Sequence, residues 1–149
     1  MKTFTSNRRA AFDFELSDTC EAGLELFGTE VKAVRSGKGK IDGAHVIVRG
    51  GEAYLVGASI PAHQPANAPS GYDPERTRRL LLSQKEIDAL AHKSDQKGLT
   101  IVPLSMYSSG RNIKLKLAVA RGKKKQDKRE TIRKRDSDRH IGRTLKNQN

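Results

Sequence analysis

The sequence predicts a mainly β fold with short helices, arranged as a small antiparallel barrel and followed by a basic C-terminal tail. Its strand-like segments are short, close turns separate them, and they do not alternate with helices as the strands of a parallel sheet do. Residues 121–149 carry 12 Lys/Arg, 4 Asp/Glu and only three sizeable apolar side chains. We therefore expect a barrel over residues 1–121 and a tail without a core over residues 122–149.

The first part of the barrel contains two predicted strand segments and a helix. Residues 10–16 alternate large apolar side chains with small or acidic ones, which is typical of a half-buried strand. Strand-like residues continue over 21–26. Thr29 then has the character of a helix N-cap, with Glu30 in the favourable first turn of a short helix that runs to Arg35.

A β-hairpin is predicted in the middle of the chain. Residues 45–48 and 53–56 are short valine-containing segments, and the Gly-Gly pair at 50–51 is a hairpin signal. Pro, Ala, Gly, Ser and Asn dominate residues 61–74, so a flexible loop is expected there. Residues 76–82 follow with basic side chains that give way to leucines.

The last part of the barrel contains a helix and two strands. Ser83 and Glu86 have the spacing of a capping box at a helix start. Residues 99–107 are a predicted strand in which Pro103 requires a bulge or an edge position. Residues 113–119 alternate apolar with basic or small side chains, which is the clearest strand pattern in the chain.

Composition limits the class of protein. The 149 residues include no apolar run long enough to cross a bilayer and no signal-peptide pattern, so we expect a cytoplasmic protein without membrane association. The single cysteine, Cys20, permits no internal disulfide. The four histidines are scattered, so neither a metal site nor another cofactor is expected.

No arrangement of catalytic residues stands out. Glu21, Glu30 and Glu52 are the carboxylates that acid–base chemistry would use, but their spacing does not bring two of them together. The glycines between residues 37 and 43 lack the GxxxxGK[ST] pattern of a phosphate-binding loop. We interpret the carboxylates as ordinary surface or capping groups and expect that the protein is not an enzyme.

The charge distribution favours a nucleic-acid partner. Residues 121–149 hold +8 of the net charge of +12, and a basic segment without a core is ordered by binding a polyanion. Basic side chains also cluster in the barrel, where they can follow a phosphate backbone or stack on bases. These clusters are Arg8 and Arg9; Lys32, Arg35, Lys38 and Lys40; Arg76, Arg78 and Arg79; and Lys114 with Lys116.

The tail also carries a helical pattern. Glu130 and Lys134 are spaced i, i+4 in the favourable orientation, and Ile141 and Leu145 would share one face. Gly142 opposes a stable free helix by roughly 1 kcal/mol relative to Ala. We expect the tail to be disordered in the free protein and helical when it is docked on an RNA surface.

Five segments of the chain form a recognisable series. They are EAGL from Glu21, GTEVKAVRSGK from Gly28, RTRRLLL from Arg76, GLTIVPL from Gly98 and ARGKKKQDKR from Ala120. In this order and spacing they resemble the SsrA-binding protein (SmpB) family, and the likeness runs from about residue 7 to the C-terminus.

The resemblance implies an OB-like closed barrel with flanking helices and a tail that is unstructured when free. It implies binding to the tRNA-like domain of tmRNA and delivery of that RNA to ribosomes stalled without a stop codon, for trans-translation. Elongation factor Tu is an implied partner through alanyl-tmRNA. The tail is implied to pass the ribosome decoding centre, enter the empty mRNA channel and report that no message is present.

Candidate site residues follow from the charge pattern and from the resemblance. The basic clusters contribute the RNA-binding candidates Lys32, Arg35 and Arg79. The resemblance implies RNA contacts at Asn7, Glu21, Leu81, Lys114, Gly122, Lys123, Lys124, Asp127, Lys128 and Arg129. The candidates for the ribosomal channel are Ile132, Arg133, Lys134, Arg135, Arg139, Ile141, Arg143, Leu145 and Lys146.

Two of these residues have implied roles, and two positions depart from the family pattern. The resemblance implies that Glu21 accepts hydrogen bonds from base or sugar donors and that Leu81 packs on unstacked bases. Gln126 stands where many members have an aromatic residue or histidine, and Thr144 replaces a larger apolar residue. We therefore have less reason to expect a base-stacking contact at the start of the tail. Apolar docking near the end of the tail is also expected to be weaker.

Two alternatives remain open at this stage. A structural ribosomal protein, or a generic RNA-binding protein, would share the charge and strand pattern. An enzyme acting on RNA would need Glu21, Glu30 and His45 to converge in one cleft.

Overall fold

The computed structural model of the chain describes residues 2–64 and 70–122, which form an antiparallel sheet with three short helices. The predicted mainly β fold with short helices is confirmed. In chain order the elements are β1 (Thr3–Ser6), α1 (Ala10–Asp13), β2 (Phe14–Leu24), α2 (Gly28–Arg35), β3 (His45–Arg49), β4 (Glu52–Val56), β5 (Arg78–Leu81), α3 (Gln84–Ser94), β6 (Leu99–Ser109) and β7 (Asn112–Gly122). Part of the predicted loop, residues 65–69, lies outside the described residues.

The series of strand pairings begins and ends at β6. The order β6-β3-β4-β5-β2-β7 runs across the sheet, and β7 pairs again with β6. β7 occupies one edge of β6, while β3 and β1 share the other edge, through the pairs Val46–Ile101 and Thr3–Tyr107 respectively. β7 pairs with β6 on one side and with β2 on the other, and each of the three strands is 11 residues long, so together they form an extended continuous surface of the sheet.

Aliphatic side chains fill the interior, as the scarcity of aromatic residues requires. The alternation predicted for residues 113–119 places Ile113, Leu115 and Leu117 in the core and leaves Lys114 and Lys116 on the outer face. Leu80 of β5 packs in the same cluster and is completely buried. This alternation decides which side chains of β5 and β7 are available to a partner.

The predicted hairpin and the predicted capping box are both confirmed. Arg49 of β3 pairs with Glu52 of β4, and the two intervening glycines have φ values of +60° and +77°, as a tight two-residue turn requires. At the start of α3, the Ser83 hydroxyl accepts the Glu86 N–H at 3.2 Å. The Glu86 carboxylate accepts the Ser83 N–H at 3.3 Å.

The first predicted strand is wrong in its first half. Residues 10–13 form the helical turn α1, and β2 begins at Phe14. Ala10 and Phe14 both belong to the cluster of Val102 and Ala120, and side chains four residues apart share a face in a helix as well as in a strand. The alternation in the sequence was compatible with either structure, and contact with β6 and β7 decided between them.

The start of α2 also differs from the prediction. Its N-cap is Phe27 rather than Thr29, because the Glu30 carboxylate reaches back to accept the Phe27 N–H at 2.7 Å. The Thr29 hydroxyl instead accepts the backbone N–H of His63 at 3.1 Å. The predicted end of the helix at Arg35 is confirmed.

Two further features concern β1 and β6. β1 was not predicted, because a four-residue edge strand has too little pattern of its own and is defined by its pairing with β6. The expectation of a bulge at Pro103 is confirmed by a register shift between Pro103 and Ser105 in the pairing with β7. Within the described residues, no helix has the length and apolar character needed to span a membrane.

Candidate nucleic-acid interface

A polar groove lies on the outer face of the sheet where β1, β6, β7 and β2 run side by side. Its volume is about 550 Å³. The lining side chains are Thr3, Thr19, Cys20, Glu21, Ser105, Tyr107 and Lys116. One RNA-binding candidate from the sequence, Glu21, therefore lies in a cavity with hydroxyl groups and a lysine.

Strand register brings two more candidates next to Glu21. In one row across the sheet, Leu81 of β5 is opposite Gly23 of β2, which is opposite Lys114 of β7. In the next row, Glu21 of β2 is opposite Lys116. Directly opposed residues share a face of the sheet. We call the surface formed by Glu21, Leu81, Lys114 and Lys116 the Glu21 face.

Leu81 presents an unusual apolar side chain on this face. It is 48% exposed, whereas its neighbour Leu80 is completely buried. A Cβ built on Gly23 would lie 3.1 Å from the Leu81 Cβ, so the glycine allows Leu81 to lie close against β2. An exposed leucine beside lysines provides an apolar contact for an unstacked base.

The Glu21 carboxylate is held from one side. The Tyr107 hydroxyl donates a hydrogen bond to Glu21 Oε2. Burial, and then the hydrogen bond and charge of Glu21, raise the pKa of Tyr107 to about 12, so the phenol stays protonated as the donor. Within the described residues Oε1 of Glu21 has no hydrogen-bond partner, and neither Lys114 nor Lys116 forms an ion pair.

Arg79 lies on the exposed side of β5 but is already paired with two carboxylates. Its Nε is 3.0 Å from Glu52 Oε2 and its Nη1 is 3.4 Å from Glu25 Oε2. The hydrogen bond and charge of Glu52 raise the pKa of Arg79. Desolvation lowers this pKa by a smaller amount, and Glu25 adds a further small increase. A phosphate would have to compete with both carboxylates for this guanidinium.

Lys32 and Arg35 are exposed on α2, which packs against β1 rather than beside the Glu21 face. The Arg35 guanidinium donates to the Arg111 carbonyl at 2.8 Å and lies 5.8 Å from the centre of the Phe4 ring. These two candidates are thus not brought together with Glu21, Leu81 and Lys114.

Asn7 connects β1 to the bulged part of β6. Its side-chain amide donates to the Pro103 carbonyl at 2.9 Å, and its backbone N–H donates to the Leu104 carbonyl at 2.8 Å. These bonds give Asn7 a structural role, and its contact with RNA stays a prediction.

Gly122 is the last residue of β7 and pairs with Phe14, so the sheet extends one residue beyond the predicted barrel boundary. The remaining tail candidates lie outside the described residues: Lys123, Lys124, Asp127, Lys128, Arg129, Ile132, Arg133, Lys134, Arg135, Arg139, Ile141, Arg143, Leu145 and Lys146.

One arginine of the predicted RNA-binding basic clusters is buried together with a carboxylate that was expected on the surface. Glu30 and Arg78 have no exposed surface, and Arg78 donates to Glu30 Oε2 from Nε at 2.9 Å and from Nη2 at 2.7 Å. Arg76 and the Tyr72 hydroxyl also donate to Glu30. The interpretation of Arg78 as a phosphate-following residue was therefore wrong. The interpretation of Glu30 was wrong about an exposed surface position but right about capping, because its carboxylate accepts the Phe27 N–H at the start of α2. The alternation of Arg78 with buried Leu80 was the signal that could have revealed this.

The carboxylates considered for catalysis do not share partners. Glu21 contacts Tyr107, Glu30 contacts the buried arginines, and Glu52 contacts Arg79. Within residues 2–64 and 70–122, no group of three or more His, Cys, Asp or Glu side chains could hold a metal ion. The described geometry instead combines acceptor, apolar and cationic groups on one open surface.

Comparison with known proteins gives a consistent result. The family model for SmpB protein matches residues 4–147. An SsrA-binding protein of Chelativorans sp. (strain BNC1) is 47% identical over 145 residues, with 97% of this chain and 93% of that protein covered. An SsrA-binding protein of Synechococcus elongatus is 46% identical over 146 residues, with 98% and 95% covered.

A solved structure extends this likeness to three dimensions. It is described as "tmRNA-SmpB: a journey to the center of the bacterial ribosome". The matching chain is 41% identical with a TM-score of 0.69, and the match covers 87% of this chain and 94% of that one. This protein therefore belongs to the SmpB family, the SsrA-binding proteins.

Proposed function

We propose that this protein binds the tRNA-like domain of tmRNA through the Glu21 face and delivers the RNA to stalled ribosomes for trans-translation. The observation that supports this most is the strand register, which places Glu21, Leu81 and Lys114 in two adjacent rows. Family membership and the similarity to the chain of the solved tmRNA-SmpB structure support tmRNA as the RNA.

The barrel acts as a rigid platform in this proposal. The pairings that return from β7 to β6 support an OB-like closed barrel, whose outer face presents side chains at fixed spacings. Lysines on that face neutralise phosphates, the Glu21 carboxylate accepts N–H or hydroxyl donors, and Leu81 contacts unstacked bases. Carboxylates repel phosphate, so Glu21 adds selectivity rather than general RNA affinity.

The remaining partners follow from this arrangement. Alanyl-tmRNA would bring elongation factor Tu to the complex, and residues 123–149 would pass the decoding centre into an mRNA channel that is empty only on a stalled ribosome. The protein would act in the cytoplasm and by binding alone, because peptidyl transfer is the ribosome's own chemistry. The basic composition of the tail suits an RNA-lined channel.

The first experiment compares binding to the tRNA-like domain of tmRNA with binding to an ordinary tRNA of equal length at physiological salt. We expect tight binding to the tmRNA domain and a wide preference over tRNA. Equal, weak and salt-sensitive binding to both RNAs would contradict the proposal and favour a structural ribosomal or generic RNA-binding protein.

Glu21→Ala should weaken binding to the tmRNA domain about tenfold, because donors on the RNA would lose a charged acceptor worth about 1–3 kcal/mol. Its melting temperature should stay close to that of the unchanged protein, since Glu21 is exposed. Glu15→Ala is the matched control, because it removes the same charge from another exposed position of β2. Removing a carboxylate makes the protein more positive, so Glu15→Ala should bind the RNA as well as the unchanged protein or slightly more tightly. The same result for Glu21→Ala would mean that net charge, not the Glu21 face, determines binding.

Leu81→Ala and Leu80→Ala should have opposite effects. Leu81→Ala should weaken RNA binding and change the free energy of unfolding by no more than about 0.5 kcal/mol. Leu80→Ala should lower the free energy of unfolding by about 2–5 kcal/mol, because it opens a cavity in the core. Urea unfolding and RNA titration of both variants measure this, and a destabilised Leu81→Ala protein would show that Leu81 is a packing residue.

A further inference from the structure

The side chain of Tyr107 is buried, although it does not pack in the apolar core. It is 7% exposed but belongs to neither apolar cluster of the interior. Its neighbour Met106 lies in the main cluster, and alternation along β6 therefore directs Tyr107 to the outer face. There it lines the groove that also contains Glu21.

The contact between Tyr107 and Glu21 crosses a strand. Tyr107 is on β6 and Glu21 is on β2, and β7 lies between them. Tyr107 is opposite Lys114, while Glu21 is opposite Lys116, so the phenol lies diagonally across the gap between the two lysines. Gly23 in the Lys114 row has no side chain to obstruct this path.

Lys116 is the competing partner for the Glu21 carboxylate. Directly opposed residues of an antiparallel pair have Cβ atoms about 4.5–5.5 Å apart, within easy reach of an ion pair. Nevertheless, no ion pair between Glu21 and Lys116 forms in the described structure, and Tyr107 holds Oε2 instead. Oε1 therefore remains an acceptor and the Lys116 ammonium remains a cation, both available in one groove.

We propose that Tyr107 is a positioning residue for RNA recognition: its hydroxyl fixes the Glu21 carboxylate in the groove, so that Oε1 accepts N–H or 2′-hydroxyl donors of an unpaired nucleotide. This inference rests on the proposed function of the Glu21 face. Tyr107 acts only through Glu21, because its own side chain is buried. Without the hydroxyl, Glu21 would turn toward Lys116, and the acceptor and the cation would neutralise each other.

The test is a double-mutant cycle on the full-length protein, with binding to the tRNA-like domain of tmRNA as the readout. Tyr107→Phe removes only the hydroxyl and should weaken binding about fivefold to tenfold, as expected for the loss of one oriented hydrogen bond. In a Glu21→Gln background, the same substitution should change affinity less than about twofold, since the charged carboxylate that Tyr107 positions is already gone. Melting temperatures of all four proteins monitor folding.

The outcomes separate the inference from the function on which it rests. Unchanged affinity in Tyr107→Phe, or an equal loss in both backgrounds, would overturn the positioning role. If the unchanged protein shows no preference for the tmRNA domain over tRNA, the proposed function itself fails. A general packing role for Tyr107 would lower the melting temperature without coupling to Glu21, which also contradicts the inference.

Discussion

Replacing Glu30 by alanine should lower the free energy of unfolding by about 3–5 kcal/mol, because a buried charge would lose its counter-ion. The Arg78 guanidinium has no contact with solvent and would keep mainly the carbonyls of Ala58, Pro74 and Arg76 as hydrogen-bond acceptors. These carbonyls can satisfy N–H groups but cannot balance the charge. Urea unfolding followed by circular dichroism measures the effect.

A pair of adjacent arginines provides the matched control. Arg78→Met should destabilise the fold about as much as Glu30→Ala, since it leaves Glu30 buried beside a single remaining arginine, Arg76. Arg79→Met removes the same charge one residue later, where the side chain is exposed. Its free energy of unfolding should change by no more than about 0.5 kcal/mol. Equal effects of the two substitutions would contradict the buried cluster.

The same cluster makes stability depend on pH. Burial raises the pKa of Glu30, but hydrogen bonds from Arg76, the Phe27 amide and Arg78 outweigh it and hold the pKa below its ordinary value of 4.5. A carboxyl group with a lowered pKa stabilises the fold fully above its unfolded pKa. That stability is lost as the pH falls through the folded pKa. Glu30→Ala should therefore lose less stability than the unchanged protein on acidification below pH 4.5, and parallel pH profiles would argue against this assignment.

A chain that ends at Gly122 should keep its affinity for the tmRNA domain and lose all tagging on stalled ribosomes. Gly122 is the last residue of β7, so the truncation leaves every described strand and the whole Glu21 face in place. The deletion begins after the end of β7 that is opposite Phe14, whereas Lys114 and Lys116 lie toward the other end of that strand, so we expect little effect on binding at that face. RNA titration and a peptide-tagging assay on ribosomes stalled without a stop codon measure the two activities.

A shuffled tail provides the control for charge. A protein with residues 123–149 in scrambled order keeps the net charge of the tail but loses the spacing of Ile141 and Leu145. We expect it to remain inactive in tagging, because the helical docking expected from the sequence would need an apolar face as well as the basic residues. Normal tagging by the truncated chain would refute the proposed role of the tail, and normal tagging by the shuffled chain would refute its helical docking.

Strong local patterns in the sequence predicted their elements well. The alternation over residues 113–119 predicted both β7 and the outward direction of Lys114, because a strand has a side-chain period of two regardless of its neighbours. The Ser83 capping box and the two glycines of the β3–β4 hairpin are likewise satisfied within a few residues. Such features need no distant partner, so sequence alone can reveal them.

Weak or ambiguous patterns depended on contacts between distant segments. Residues 10–13 became helical because Ala10 packs on β6 and β7, and β1 exists through its pairing with β6. In the candidate site, the resemblance supplied Glu21, Leu81 and Lys114, but only the register across β5, β2 and β7 brings them onto one face. Tyr107 was not identified from the sequence, because nothing near it in the chain indicates Glu21 as its partner.

The sequence by itself determined the mainly β class, the basic tail, the family, and the alternation that separates core from surface on the long last strand. These properties depend on composition and on neighbours within a few positions. Only the tertiary structure decided that Arg78 is a buried counter-ion while Arg79 is an exposed one, and that Glu21 is held by Tyr107 rather than by Lys116. The physical reason is that burial and side-chain pairing depend on residues distant in the chain. Glu30 and Arg78 are 48 positions apart and Glu21 and Tyr107 are 86 apart, and folding alone brings them within hydrogen-bond distance.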